Sequence, residues 1–237
     1  MAKKNKVGFL STNLLKIIAM TAMVIDHASV IFLGAQTTIW RNIGRIAFPI
    51  FAFLIAQGAI HTKNRLKYLL RLVAFSVISE VPYDIAFKGT YFETTSQNVY
   101  FTLALGLISV YLLDFLRSHK LGILGFVTTA ICGLGAYYLH SDYGFSGVVV
   151  ITLMFVFASA SPSVKYVGYA ISAFMTTIYY APVLYIGFIE AQLPAVFSAL
   201  PIALYSGRPG KKTNKYIFYA FYPVHILILW LIKKYIV

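Results

Sequence analysis

Apolar runs of about 17 to 24 residues follow one another from residue 14 to residue 237, each close to the roughly 20 that an α-helix needs to cross the hydrocarbon core of a bilayer. A backbone in that core has no water to bond, so each run must satisfy its own amides as a helix. With Gly, Pro and charge clusters as breaks, the runs are about 13–33, 43–61, 66–86, 98–116, 121–139, 145–160, 164–180, 182–205 and 216–236. This predicts an all-α fold: a polytopic transmembrane bundle of about nine spans, forming a single domain over residues 1–237. The basic start at residues 1–6 resembles a signal-peptide n-region. The run after it is too long for one and contains Asp26 and His27, so it reads as a retained first span. Composition points the same way, with 59% hydrophobic residues and 11% charged, against about 25% charged in an ordinary soluble domain.

The net charge of +13 comes from 20 Lys and Arg residues that lie mostly in connectors. Cytoplasmic loops retain Lys and Arg, and here their parity is consistent. Lys3, Lys4, Lys6, Lys63, Arg65, Lys67, Arg117, Lys120, Lys165, Arg208, Lys211, Lys212 and Lys215 fall on one side, with Arg41, Lys88, Lys233 and Lys234 on the other. The pattern predicts a cytoplasmic N-terminus and a C-terminus outside. The aromatics lie inside the apolar runs and not among the basic residues, which excludes a nucleic-acid surface. Cys132 is the single cysteine and reads as a packing residue. The five His residues lie at scattered depths with no i, i+4 pair, so no metal site is expected.

A charged side chain at the centre of a spanning helix costs roughly 2.5–3.5 kcal/mol on insertion scales, so each needs a partner, a water-filled cavity or a function. Asp26 and His27 fall in the outer part of the first run, Arg45 at the outer start of the second, and Glu80 and Asp84 in the outer part of the third. With Asn98 they share one depth although they come from four runs. Glu190 lies in the eighth run and His225 near the middle of the ninth. Glu80 and Asp84 are i and i+4, on one helix face with Tyr83 beside them. Two carboxylates so close repel unless a cation lies between them, and Arg45 is the candidate. Asp26 and His27 sit about 100° apart round a helix, so each faces a different neighbour. One reading is that Arg45 neutralises Asp26 or Asp84 and locks the bundle. The other is proton chemistry, since three acids to one Arg leave surplus carboxylates beside a buried His. His225 stays open between catalysis and a bond to a neighbouring carbonyl. Pro49, Pro82 and Pro223 would free the carbonyls of Arg45, Ile78 and Tyr219 and bend their helices.

On the cytoplasmic side, His61, Lys63, Arg65, Lys67 and Arg71 form one basic group and residues 207–215 a second. They suit anionic lipid headgroups, or a phosphorylated cytosolic donor.

Asp26-His27, Gly44-Arg45-Ile46-Ala47-Phe48-Pro49-Ile50-Phe51, His61-Thr62 and Ser79-Glu80-Val81-Pro82-Tyr83-Asp84 strongly resemble the TraX family of membrane proteins. Gln97-Asn98-Val99-Tyr100-Phe101-Thr102-Leu103, Asp142-Tyr143-Gly144 and the stretch 216–225 continue the match in order over nearly the whole chain. The resemblance implies an acetyltransferase of a bacterial cytoplasmic membrane, since the family's namesake is associated with N-terminal acetylation of conjugative pilin. It also implies kinship with larger integral-membrane acyltransferases that use an intramembrane His and cytosolic acyl-CoA. On that analogy His27 is the expected general base, and depth and charge then give Asp26 or Glu80 the role of orienting it and Arg45 and Asn98 that of stabilising the oxyanion. Asp84, Tyr83, Asp142, Tyr143 and His225 are the expected acceptor contacts, and His61, Lys63, Arg65, Lys67 and Arg71 receive the acyl-CoA, acetyl-CoA first. The expected partners are membrane lipids, the acyl-CoA and an acceptor hydroxyl or amine on a peptide, a protein N-terminus or an envelope glycan. Gln57 stands where an acid is frequent in the family, and Ser96 where a His often precedes the Gln-Asn pair. Two rival readings share the same residues: a proton-coupled transporter with the carboxylates and His as relay, and a structural membrane protein with a buried ion-pair network.

Overall fold

The computed structural model describes residues 8–34, 39–177 and 192–236. Among them the chain is helical, with no strand beyond the isolated bridges Leu10–Tyr205 and Gln97–Ser141. In order come α1 (Thr12–Leu33), α2 (Ile39–Gly44), α3 (Ala47–His61), α4 (Arg65–Lys88), α5 (Val99–Ser118), α6 (Gly122–Tyr138), α7 (Gly144–Ala158) and α8 (Pro162–Met175). A 3-10 turn (Leu193–Ser198), α9 (Ala199–Ala203) and α10 (Lys215–Tyr235) complete it. Starts and stops follow local chemistry. The side chains of Ser11, Asn64, Asn98 and Asn214 accept the backbone N–H of Leu14, Lys67, Tyr100 and Tyr216 and so cap α1, α4, α5 and α10. Gly89 ends α4 in the left-handed region at φ 72°.

Among the described residues four stretches are long and apolar enough to cross a bilayer: α1, α2 with α3, α5 and α10. The apolar helices α6 and α7 have 17 and 15 residues. That gives lengths of about 25 and 22 Å at 1.5 Å per residue, against a hydrocarbon core of about 30 Å. Nine crossings thus remain a reading of the sequence pattern. Two expected runs are broken. The second is interrupted at Arg45–Ile46, between α2 and α3. The expected run 182–205 is not one helix over its described part, where Pro194 and Pro201 coincide with the 3-10 turn and the short α9; its first ten residues, with Glu190, lie outside the described residues.

The prolines act differently from one another. Pro49 stands in the first turn of α3, where an N–H has no intrahelical partner, so it breaks no hydrogen bond. Pro82 and Pro223 lie inside α4 and α10. Pro223 leaves the Tyr219 carbonyl free, and the Tyr100 hydroxyl donates to it at 3.0 Å. That bond ties α5 to α10.

Helices α1, α3, α5, α4 and α10 contact one another in turn and close a ring, with α6 and α7 packed behind α5 and α3. An apolar core is buried together with a set of polar side chains, while large apolar side chains also cover much of the outside, which a soluble domain does not show to this degree. Ile123, Phe126, Val127, Ile131 and Leu134 of α6 are exposed while Ser109, Thr129 and Thr152 are buried. The Ser109 hydroxyl meets Thr129 Oγ1 and Thr152 Oγ1, each at 2.9 Å, joining α5, α6 and α7. Thr129 and Thr152 also donate to the carbonyls of Gly125 and Val148, so neither is orphaned when Ser109 is removed. Ser109→Ala is therefore expected to cost only about 0.6–2 kcal/mol, the scale of one interhelical hydrogen bond in a membrane bundle. Thermal unfolding in nanodiscs should show a midpoint a few degrees lower; a loss of all folded protein would contradict this account.

Candidate active site

The ring encloses a cavity of about 710 Å³, within the roughly 300–1,000 Å³ of ligand-binding clefts. Thr12, Lys16, Met20, Met23, His27 and Val30 of α1 all line it. They recur every three or four residues, so they form one stripe, and the cavity follows α1 for about 27 Å at 1.5 Å per residue. One end is basic, with Lys16, His61, Arg71 and Lys215. The middle is apolar and aromatic, with Leu54, Ile55, Leu72, Leu103, Phe218 and Tyr222. The far end carries Asp26, His27, Arg41, Arg45, Lys88 and Asp142.

At that far end, Oδ1 of Asp26 accepts from Arg41 Nη1 at 3.0 Å and from Arg45 Nη2 at 3.3 Å. The arrangement depends on Gly44, where a Cβ would stand 2.2 Å from Asp26 Cβ and 2.7 Å from its Oδ1. Without a side chain there, α2 can lie against α1. The helix break just after Gly44 then turns the Arg45 backbone, and its guanidinium, only 6% exposed, reaches the carboxylate.

His27 faces away from that group. Its Nδ1 lies 2.8 Å from Nε2 of His225, whose own Nδ1 lies 2.8 Å from the Phe221 carbonyl. The two ring planes differ by 8° and their centroids are 5.0 Å apart. That separation leaves about one ring radius on each side of the 2.8 Å contact, so the rings meet edge to edge in nearly a common plane. Phe87 and Tyr222 present edges to His27, and Phe221 stacks on His225.

Asp142 and Tyr143 sit between α6 and α7, outside the helical spans. Tyr143 takes φ 63° and stacks on Phe48 at 3.8 Å. Burial pushes the Asp142 carboxyl up to about 6, against the pull of the Arg45 guanidinium; Asp26 adds to the rise. Two carboxylates and two guanidiniums therefore share this end of the cavity.

Several expected site residues lie elsewhere. Arg45 pairs with Asp26, and Glu80 instead accepts from Asn98 Nδ2. That Asn98 amide also donates to the Ser76 carbonyl, while its oxygen caps α5. With both donors committed and no place on the cavity wall, Asn98 is a poor oxyanion donor. Asp84 is fully buried and accepts the Glu93 backbone N–H at 2.8 Å. Neither acid lines the cavity, whereas Tyr83 does, with its hydroxyl 3.0 Å from Ser96 Oγ. Of the expected donor contacts, His61 and Arg71 line the basic end; Lys63, Arg65 and Lys67 do not. Arg65 pairs with Asp114 and covers Tyr111. Sequence reasoning missed Lys16, Arg41 and Lys88 as lining residues, whereas Lys215 ends the second basic group that it offered for a phosphorylated donor. Lys16 was findable, since counting back from His27 along one helix face passes Met23, Met20 and Lys16.

Among the described residues no three His, Cys, Asp or Glu side chains are grouped to hold a metal. The family model described as TraX protein matches residues 11–233. The chain is 30% identical to "Probable fimbrial assembly protein FimC, serogroup H1" of Dichelobacter nodosus, over 94% of this chain and 95% of that protein. It is 34% identical to "Uncharacterized protein RP591" of Rickettsia prowazekii (strain Madrid E), over 46% of this chain and 39% of that one. No solved structure matches the chain.

Gly44→Ala should push α2 off α1 and part Asp26 from its guanidiniums. The expected result is a loss of stability comparable to that of Asp26→Ala, with the double variant little worse than either. Additive losses in thermal melting would break the link. A second expectation concerns pH. Because the fold raises the Asp142 pKa above its unfolded value, ionisation of Asp142 opposes folding. Stability lost at neutral pH should return as pH falls through about 6 toward the unfolded value. Melting curves of the wild type and Asp142→Asn should converge or cross over that window; parallel curves would contradict it.

Proposed function

The chain belongs to the TraX family, and from that premise we propose that it is a multi-pass membrane acyltransferase that moves an acetyl or similar group from a cytosolic acyl-CoA to a hydroxyl or amine acceptor. The observation that carries the proposal is the single cavity joining the basic end at Lys16, His61, Arg71 and Lys215 to His27. The positive-inside pattern puts that basic end on the cytoplasmic side. There the cations suit the phosphates of the donor. From Lys16 to His27 is about 16 Å at 1.5 Å per residue, a span on the scale of an extended pantetheine arm. The apolar middle would hold that arm and exclude water.

At the far end the acceptor hydroxyl or amine gives its proton to His27 as its oxygen or nitrogen attacks the thioester carbonyl. Charge then builds on the carbonyl oxygen, where the Arg45 and Arg41 guanidiniums, held by Asp26, stand ready as donors. Collapse of the tetrahedral species expels the thiolate, which takes the proton back from His27. Tyr83, Asp142 and Tyr143 line the acceptor side. The D. nodosus relative is described as a probable fimbrial assembly protein, which favours a peptide or protein N-terminus over a glycan.

A cavity reaching along most of α1 also suits a proton-coupled transporter, so the test must separate the two. Purified protein in nanodiscs should turn over acetyl-CoA, and His27→Ala at matched folded yield should lose about 10²–10⁴-fold in kcat. Lys16→Ala with Arg71→Ala should raise KM for acetyl-CoA and leave kcat nearly unchanged, as expected for contacts made equally in ground and transition states. Proton-driven flux in vesicles with no acyl transfer would give the function to the transporter.

A further inference from the structure

His225 lies behind the cavity wall, against the wall residues His27, Phe221 and Tyr222, and its hydrogen bonds constrain the chemistry of His27. A backbone carbonyl can only accept, so the 2.8 Å contact to the Phe221 oxygen requires a proton on His225 Nδ1. In the neutral imidazole the other nitrogen, Nε2, is then a bare acceptor. Nδ1 of His27 approaches it at 2.8 Å in the plane of both rings. Two lone pairs facing each other at that distance would repel, so a neutral pair has one arrangement: His27 Nδ1–H donates to His225 Nε2. We propose that His225 is a positioning residue that holds His27 in the tautomer protonated on Nδ1, leaving the Nε2 lone pair for the substrate, and that it shares the proton which Nε2 receives.

The sharing follows from the same geometry. When Nε2 of His27 takes a proton, its Nδ1 proton can pass along the N–H···N bond to His225 Nε2. One proton has entered and one positive charge results, now on a ring that donates both to Phe221 and back to His27. Within the dyad only N–H bonds are made or broken, and the reverse shift restores the proton on His27 Nδ1 as its Nε2 gives its own proton to the leaving thiolate. The flanking Phe221, Phe87 and Tyr222 rings keep the pair coplanar. The role parallels that of a carboxylate behind a catalytic imidazole, but the partner here is a neutral ring. Asp26, next to His27 in sequence, is occupied with Arg41 and Arg45.

The kinetic arm of the test rests on His27 acting as the base, as proposed above; the tautomer does not. Protein labelled with 15N-histidine in nanodiscs is examined by nitrogen NMR, with the His27 signals assigned by their loss in His27→Ala. The wild-type spectrum should place the His27 proton on Nδ1 and leave Nε2 bare. His225→Phe removes the acceptor and keeps a ring on Phe221; it should return His27 to a mixture of tautomers and lower kcat about 10²-fold, with KM for acetyl-CoA changed less than about twofold. His225→Gln, whose amide oxygen can accept near the position of Nε2, should recover much of both. A wild-type proton on His27 Nε2, or a His225→Phe protein with unchanged tautomer and kcat, would overturn the assignment. If the His225 variants do not fold, the wild-type spectrum, assigned against His27→Ala, decides alone. A correct tautomer with no acyl transfer would refute the acyltransferase reading and leave the dyad standing.

Discussion

The pairing of Asp26 with Arg41 and Arg45 is the constraint on which the arrangement of the site depends. A carboxylate within a helix as apolar as α1 is expensive unless compensated, and here the compensation is covalently local: both guanidiniums come from the next segment of chain. To deliver them, α2 must lie against α1, and the helix must break before α3 begins. Gly44 permits the first, since any Cβ there would collide with Asp26. The break at Arg45–Ile46 supplies the second. The consequence for His27 is directional. With Asp26 turned toward α2, the neighbouring residue, about 100° round the helix, faces the cavity and α10. The ion pair thus sets where the imidazole points without touching it.

That direction gives the cavity its polarity. The stripe of α1 that carries His27 also carries Met23, Met20 and Lys16, so one helix face runs from a charged end through an apolar middle to a basic end. On α4 the wall runs from Arg71 through Leu72, Tyr83 and Phe87 to Lys88, and on α10 it runs from Lys215 to the aromatic Phe218 and Tyr222. Two helices of independent sequence, α1 and α4, carry the whole gradient, and α10 its basic and apolar parts. Packing of a lipid-facing bundle alone imposes no such agreement, because it constrains the outward faces and leaves the inner ones to whatever the interior must accommodate.

Much of this was legible in the sequence, and the failures have one cause. Hydropathy and charge give depth along a helix, so the ends of α1 and α10 fell within a residue of expectation. Depth does not give azimuth. Glu80 and Arg45 share a level, yet Glu80 faces α5 and meets the Asn98 amide. Lys63, Arg65 and Lys67 share a level with Arg71, yet only Arg71 turns inward. His225 was legible as a residue that bonds a carbonyl, since the carbonyl is four residues away on its own helix. Its partnership with His27, 198 residues distant, was not. The break between α2 and α3 was hidden for another reason: Arg45-Ile46-Ala47-Phe48 carries no glycine or proline at the break itself.

The surplus of acids that the sequence presented has a structural answer that joins the two rival readings of them. Glu80 and Asp84 are held by an amide and a backbone N–H, not by a cation, and both are set off the cavity wall. Asp84 fixes the loop after α4 at Glu93, and Gln97 of that loop accepts the Asp142 backbone N–H at 2.9 Å. Thr102 on α5 holds the same turn through Ser141 and the Asp142 carbonyl. Asp142 is in this way carried to the end of the cavity where Asp26 and the two guanidiniums lie. One set of acids therefore serves as scaffold, and its work is to place a member of the other. Asp84 thus bears on the site through the loop that positions Asp142, while Asp26 bears on it directly, and the two roles differ in kind although the residues share a chemistry.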